Sequence, residues 1–72
     1  MPELPVLSTV ALLEDIPEES LLRGQVGTII ELLAPGVYEV DFSDDEGWTY
    51  ASLAISEAQL LPLLHEPATQ AA

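Results

Sequence analysis

The chain is expected to be all-β: a small barrel or strongly curled sheet of four to five short antiparallel strands with at most one short 3-10 turn. Three observations predict this. Short runs rich in β-branched and aromatic residues recur along the 72 residues, turn signals stand between them, and almost nothing reads as helix. The clearest stretch is Arg23 to Phe42, "RGQVGTIIELLAPGVYEVDF", where two apolar runs meet at a Pro-Gly turn.

The elements follow in order. The apolar run from Val6 to Leu13 holds Ser8 and Thr9 and suggests a first strand beginning near Val10, stopped by Pro17. "PEESLLRG" reads as a loop in which Leu21 and Leu22 fold back over the core and Gly24 supplies a turn. A second strand spans Gln25 to Leu33, and Gly27 inside it signals a sharp bend or a close backbone approach. Ala34-Pro35-Gly36-Val37 suits a type II turn, because Pro presets φ at the second position and Gly accepts positive φ at the third. The return strand alternates strictly: Tyr38, Val40 and Phe42 face one way, Val37, Glu39 and Asp41 the other, so one side is buried and one is wet. "SDDEG" turns the chain again with Gly47 left-handed, and "WTYASLAI" is the fourth strand. Ser56-Glu57-Ala58-Gln59 matches a capping box, Pro62 limits it to a short turn, and a brief strand at Leu61 to Leu64 closes the sheet. Residues 1–64 thus form one domain, and 65–72, "HEPATQAA", read as a disordered tail.

Composition bears on stability and partners. A domain of this length removes only roughly 60% of its exposable surface from water, so its core is marginal. With no cysteine and one histidine, disulfide and metal support are largely closed, which leaves self-association. Hydrophobic residues make up 49% of the chain and charged ones 19%, more apolar material than a small globule easily hides. A homo-oligomer is therefore expected. Thirteen Asp and Glu stand against Arg23 alone, a formal net charge of -12. Nucleic acid and anionic membranes both require cations on the protein, so neither is an expected partner, whereas a basic protein is the natural complement. The N-terminal run lacks a positive region and a cleavage pattern, no stretch approaches a membrane span, and a cytoplasmic location is expected.

The residues "L-x-E-D-x-P" from Leu12 to Pro17, "RGQVGTIIE", "YEVDF" before an acidic turn, and "AQLLPL" carry a resemblance. Across Val10 to Leu63 the chain resembles the small bacterial domain-of-unknown-function family numbered 4926, and its Gly27-centred strand is similar to KOW and SH3-like barrels. The resemblance implies an SH3-like barrel and assigns no site residues. Family members look like short proteins encoded beside other small genes, an arrangement similar to antitoxin or immunity modules. This chain departs at Trp48, where a basic residue is usual, and at Ser20, where glycine is usual.

No chemistry-bearing constellation emerges. His65 has no base partner or orienting group, no serine sits in a nucleophile setting, and "RGQVG" lacks the lysine of a phosphate loop, so no enzyme and no cofactor are expected. Asp44, Asp45 and Glu46 offer oxygens to a hard cation or form a solvated turn; three adjacent acids fall short of a calcium loop, and no metal site is predicted. The two acidic segments, Glu14, Asp15, Glu18 and Glu19 on one loop and Asp44, Asp45 and Glu46 on the other, would dock a partner's Arg or Lys if they converge. Arg23 is expected to pair with Glu18, Glu19 or another carboxylate. Trp48 and Tyr50 lie two residues apart on one face of the fourth strand, and at least one is expected at a surface, where SH3-like modules grip peptides. Both faces of the second strand are apolar, with Val26, Ile30 and Leu32 opposite Ile29 and Leu33, so Ile29 and Leu33 are candidate oligomer contacts.

The function expected is a non-enzymatic acidic protein-interaction module that neutralises a basic bacterial protein in the manner of an antitoxin or immunity protein. The alternatives are a structural homo-oligomer without ligand, a cation-binding protein, or a nucleic-acid mimic.

Overall fold

The computed structural model describes residues 3–64. Five strands, β1 (Thr9–Leu12), β2 (Val26–Ala34), β3 (Val37–Ser43), β4 (Thr49–Ser56) and β5 (Leu60–Pro62), form one antiparallel sheet in the order β4-β3-β2-β1-β5. The core draws side chains from every strand: Val10 and Leu12, Ile29, Tyr38, Val40 and Phe42, Ile55, and Leu60, with Leu21 from the first loop. A single sheet can gather one face into one core only by curling around it. The chain is all-β as expected, and its hydrogen-bonded ladder stays open, since β4 and β5 are the two edges.

The hairpin forms as the sequence predicts. Gly36 takes φ 74° in the two-residue connection between β2 and β3, and Tyr38, Val40 and Phe42 are buried while Val37, Glu39 and Asp41 are half-buried on the other face. Gly27 is a close approach: a Cβ there would lie 2.7 Å from Val40 Cγ1 and 2.9 Å from the Asp41 carbonyl oxygen.

Four expectations are corrected. There are two 3-10 turns, Glu57–Gln59 and also Pro17–Glu19, where one at most was expected. Pro17 presets the first turn, which ends on Ser20, and paired hydrogen bonds between Ile16 and Leu21 pinch the loop shut at its base. That pinch buries Leu21 alone; Leu22 remains 62% exposed. In β2 the alternation breaks twice, because the register passes from Ile29↔Val40 to Glu31↔Glu39 and from Leu32↔Tyr38 to Ala34↔Val37. Ile30 and Leu33 are the extra residues of these bulges, and each shifts every later side chain to the opposite face. Ile29 and Leu32 therefore turn inward, Ile30 and Leu33 outward. Ile29 is fully buried in its own core and is not available as an oligomer contact, whereas Leu33 is exposed. The predicted tail 65–72, including His65, lies outside the described residues.

Two stability predictions arise here. Ser20 sits at φ 58°, ψ 36°, in the left-handed region, at the position where the family resemblance leads one to expect glycine. A left-handed non-glycine residue costs about 1–2 kcal/mol, and glycine's greater freedom in the unfolded chain returns about half of that. Ser20→Gly should stabilise the protein by about 0.5–1 kcal/mol, read as a rise of a few degrees in the thermal midpoint; an unchanged or lower midpoint would contradict the strain. Tyr38 is buried, and its hydroxyl accepts a hydrogen bond from the Leu4 backbone N–H at 2.9 Å. Tyr38→Phe strands that partly buried donor, so a loss of about 1–2 kcal/mol is expected. Amide exchange should speed up most at Leu4 and the turn that follows it, and a uniform change across the sheet would point to a different cause.

Candidate interaction surface

Register decides which loops are neighbours. Ala11 pairs with Val26, Thr28 with Asp41, and Phe42 with Ala51, so the end of β1, the start of β2, the end of β3 and the start of β4 lie at one end of the sheet. The loop after β1 and the turn after β3 both emerge there. A side-chain bond spans them: Gln25 Nε2 donates to the Tyr50 hydroxyl at 2.9 Å. Gln25 also accepts from the Leu22 backbone N–H within its own loop. The predicted acidic segments thus occupy the same end of the molecule, with Tyr50 linked to the base of one of them.

Every acid of the two segments is exposed. Two in the first segment also make hydrogen bonds within the chain. The Asp15 carboxylate accepts from the Arg23 backbone N–H at 2.8 Å, and Glu14 Oε1 accepts from Gln59 Nε2 at 3.3 Å. Arg23 was expected to meet a carboxylate through its guanidinium; the contact made to Asp15 is through its main chain. Glu18 and Glu19 stand on the Pro17–Glu19 turn.

In the second segment Asp44 is a structural residue. Its Oδ1 accepts from the backbone N–H of Glu46 at 2.9 Å and of Trp48 at 3.0 Å, while its own N–H donates to the Trp48 carbonyl. An aspartate that bonds the backbone two residues on is a frequent device for closing a turn. Gly47 takes φ 89°, as predicted. This leaves Asp45 and Glu46 as the segment's outward carboxylates, exposed and free of the backbone bonds that Asp44 makes. Among the described residues no group of three or more His, Cys, Asp or Glu is placed to hold a metal ion.

The aromatic pair differs from expectation. Trp48 precedes β4 and belongs to the turn, and the register slips between Phe42 and Ser43, so Tyr50 is the extra residue opposite that step. The unbroken alternation that would set the two rings on one strand face is absent. Trp48 is 73% exposed. Tyr50 is half-exposed, its ring 6.4 Å from that of Phe42, leaning on the core's rim while its hydroxyl meets Gln25.

Two features were not singled out from the sequence. Gln25 carries no signal of its own, because its partner is 25 positions away. The second is a row of acids on the outer sheet face, where Glu31 pairs with Glu39 and Asp41 lies two residues along. Alternation in β3 showed Glu39 and Asp41 to be wet, but the position of Glu31 depends on the first bulge.

These features define a small, all-β, curled-sheet domain that presents acidic loops and a solvent-exposed tryptophan at one end. A family model described as a domain of unknown function, DUF4926, matches residues 6–62, and the chain belongs to that family. Comparison with curated proteins and with solved structures returned no match. No helix among the described residues is long and apolar enough to cross a membrane.

Proposed function

We propose that this protein is a non-enzymatic, acidic protein-interaction module that binds a basic protein, neutralising it in the manner of an antitoxin or immunity protein. The observation that carries this reading is the grouping, at one end of the sheet, of exposed carboxylates on two loops beside the exposed ring of Trp48. A tryptophan is a strong anchor once desolvated, and the surrounding charge steers a cationic partner into register with it. Glu14, Asp15, Glu18, Glu19, Asp45 and Glu46 supply that charge, Trp48 and Tyr50 the contact area, and Asp44 the shape of the turn.

The purified product of the neighbouring gene, titrated into the full chain at low ionic strength, is expected to change the Trp48 emission and form a complex. Affinity should fall by at least about tenfold as salt shortens the Debye length from roughly 30 Å to 3 Å. Asp45→Asn with Glu46→Gln should weaken it further through a slower association rate. No complex at low salt, or one indifferent to both salt and neutralisation, would refute the reading.

A second reading, a structural homo-oligomer, is favoured by one observation. On the outer face of β5, β1 and β2 the register aligns Leu61, Ala11 and Val26 in a row, with Leu61 and Val26 each 48% exposed. Leu33 adds an exposed apolar side chain on β2. A light-scattering mass of one chain at micromolar concentration would remove this reading and leave the first standing.

A further inference from the structure

We propose that the open edge of β4 docks an extended basic segment of the partner protein, which joins the sheet as a sixth strand. This rests on the reading above that the partner is basic; what it adds is a contact beyond the loop end and the conformation in which the partner makes it.

The two edges of the sheet are unlike. β5 has three residues and ends in Pro62, which has no N–H to donate, and these are the usual protections of an edge. β4 has eight, Thr49–Ser56, "TYASLAIS", with no charge, no proline and no glycine. Its register with β3 runs without interruption from Phe42↔Ala51 to Val37↔Ser56, so the single irregularity near Tyr50 leaves six consecutive residues regular. An edge strand turns the N–H and C=O of alternate residues away from its neighbour, a template for one more strand.

Charge names the occupant. Ser52 and Ala54 pair with Asp41 and Glu39 of β3, so the outer face behind the edge is small on β4 and acidic on β3. The Ser52 hydroxyl donates to Glu39 Oε2 at 3.1 Å, and Glu31 stands beyond Glu39 on β2. An added strand lies about 4.8 Å outside β4, and its outward side chains cross two strand spacings to meet these carboxylates. Arginine and lysine span that distance over serine and alanine, and shorter side chains do not. The segment recognised is therefore extended, with basic residues at alternate positions. A second copy of this chain fits poorly, because it would bring its own Glu39 and Asp41 to the same face of the joined sheet.

The test uses the isotopically labelled full chain and a capped octapeptide of alternating threonine and arginine at low ionic strength. Amide exchange is expected to slow by about tenfold or more at alternate residues between Ala51 and Ser56, and the same peptide N-methylated at every second residue should bind at least about tenfold more weakly. Ser52→Lys, which places a lysine on the edge, should abolish binding. Glu39→Gln with Asp41→Asn, on the outer face and away from the core, should weaken it about three- to tenfold while leaving the melting curve within a few degrees. Binding that perturbs only the amides of 14–19 and 44–48 overturns edge docking and leaves the acidic-module reading intact. If β4 amides are protected without peptide in a species of twice the mass, a second copy holds the edge and the proposal fails. Should neither the peptide nor polylysine bind, both readings fall together.

Discussion

Replacing Gly27 by alanine is expected to cost about 3 kcal/mol, a large share of the roughly 4–11 kcal/mol available to a chain of this length. The cause is contact, not backbone conformation. The new methyl would stand 2.7 Å from Val40 Cγ1, 2.9 Å from the Asp41 carbonyl oxygen and 3.0 Å from Phe42 Cδ2. Val40 is fully buried and β-branched, so its methyl has nowhere to swing, and the carbonyl belongs to the β2–β3 ladder, where Thr28 faces Asp41. Relief requires the two central strands to separate. With a urea slope of about 1 kcal/mol per molar, the unfolding midpoint should fall by roughly 3 M. Val40→Ala in the same chain removes one of the three contacts, so the double variant should be more stable than the two losses added together, by about 1 kcal/mol. Simple additivity would show that crowding at Gly27 is not the origin of the loss.

Phe42→Ala should be at least as damaging, at about 3–5 kcal/mol, because a fully buried ring leaves both its transfer energy and a cavity behind. The site cannot collapse to fill it. Its cross-strand partner is Ala51, its neighbour across β2 is Gly27, and Tyr50 is tethered through its hydroxyl to Gln25. At about 4–8 °C per kcal/mol for a domain of this size, the thermal midpoint should drop by roughly 15–30 °C. Phe42→Leu, which keeps most of the volume, should lose less than half as much. Equal losses for the two variants would mean that the ring's packing on Tyr50, not the filled volume, is what matters.

The proposed interaction surface can be altered without touching the core. Its acids are solvated and its tryptophan is exposed, so neutralising Asp45 and Glu46 should alter binding without unfolding the domain, whereas Asp44 holds its turn through two backbone bonds and is a poor choice for that purpose. The acids on the outer sheet face belong to a different surface from the loop acids, which is why mapping amide changes can tell one docking mode from the other.

Local rules made much of the fold legible. Pro35-Gly36 announced the hairpin, Gly47 the next turn, Ser56 to Gln59 the capping box, and the alternation of Tyr38, Val40 and Phe42 the buried face; in each case the deciding atoms are within a few residues of one another. The box is complete in the structure: the Ser56 hydroxyl accepts from Ala58 N–H and Gln59 accepts from Ser56 N–H. Where the reading missed, a distant strand had intervened. Ile29 looked like an outward residue because a strict alternation was carried through Ile30, and only the pairing with β3 shows that Ile30 is an extra residue. Trp48 looked like a strand residue until the turn closed by Asp44 took it in.

By itself, then, the amino-acid sequence determined the all-β class, the turns, the inner face of β3 and the acidic balance, because propensity, turn chemistry and net charge are properties of adjacent residues or of composition. Tertiary structure alone decided that the two acidic loops share one end, that Gln25 reaches Tyr50, that Ile29 is core, and that β4 is left as an unguarded edge. Those outcomes depend on strand order and register, and register is set by which side chains fit together across the sheet once the chain has curled around its core.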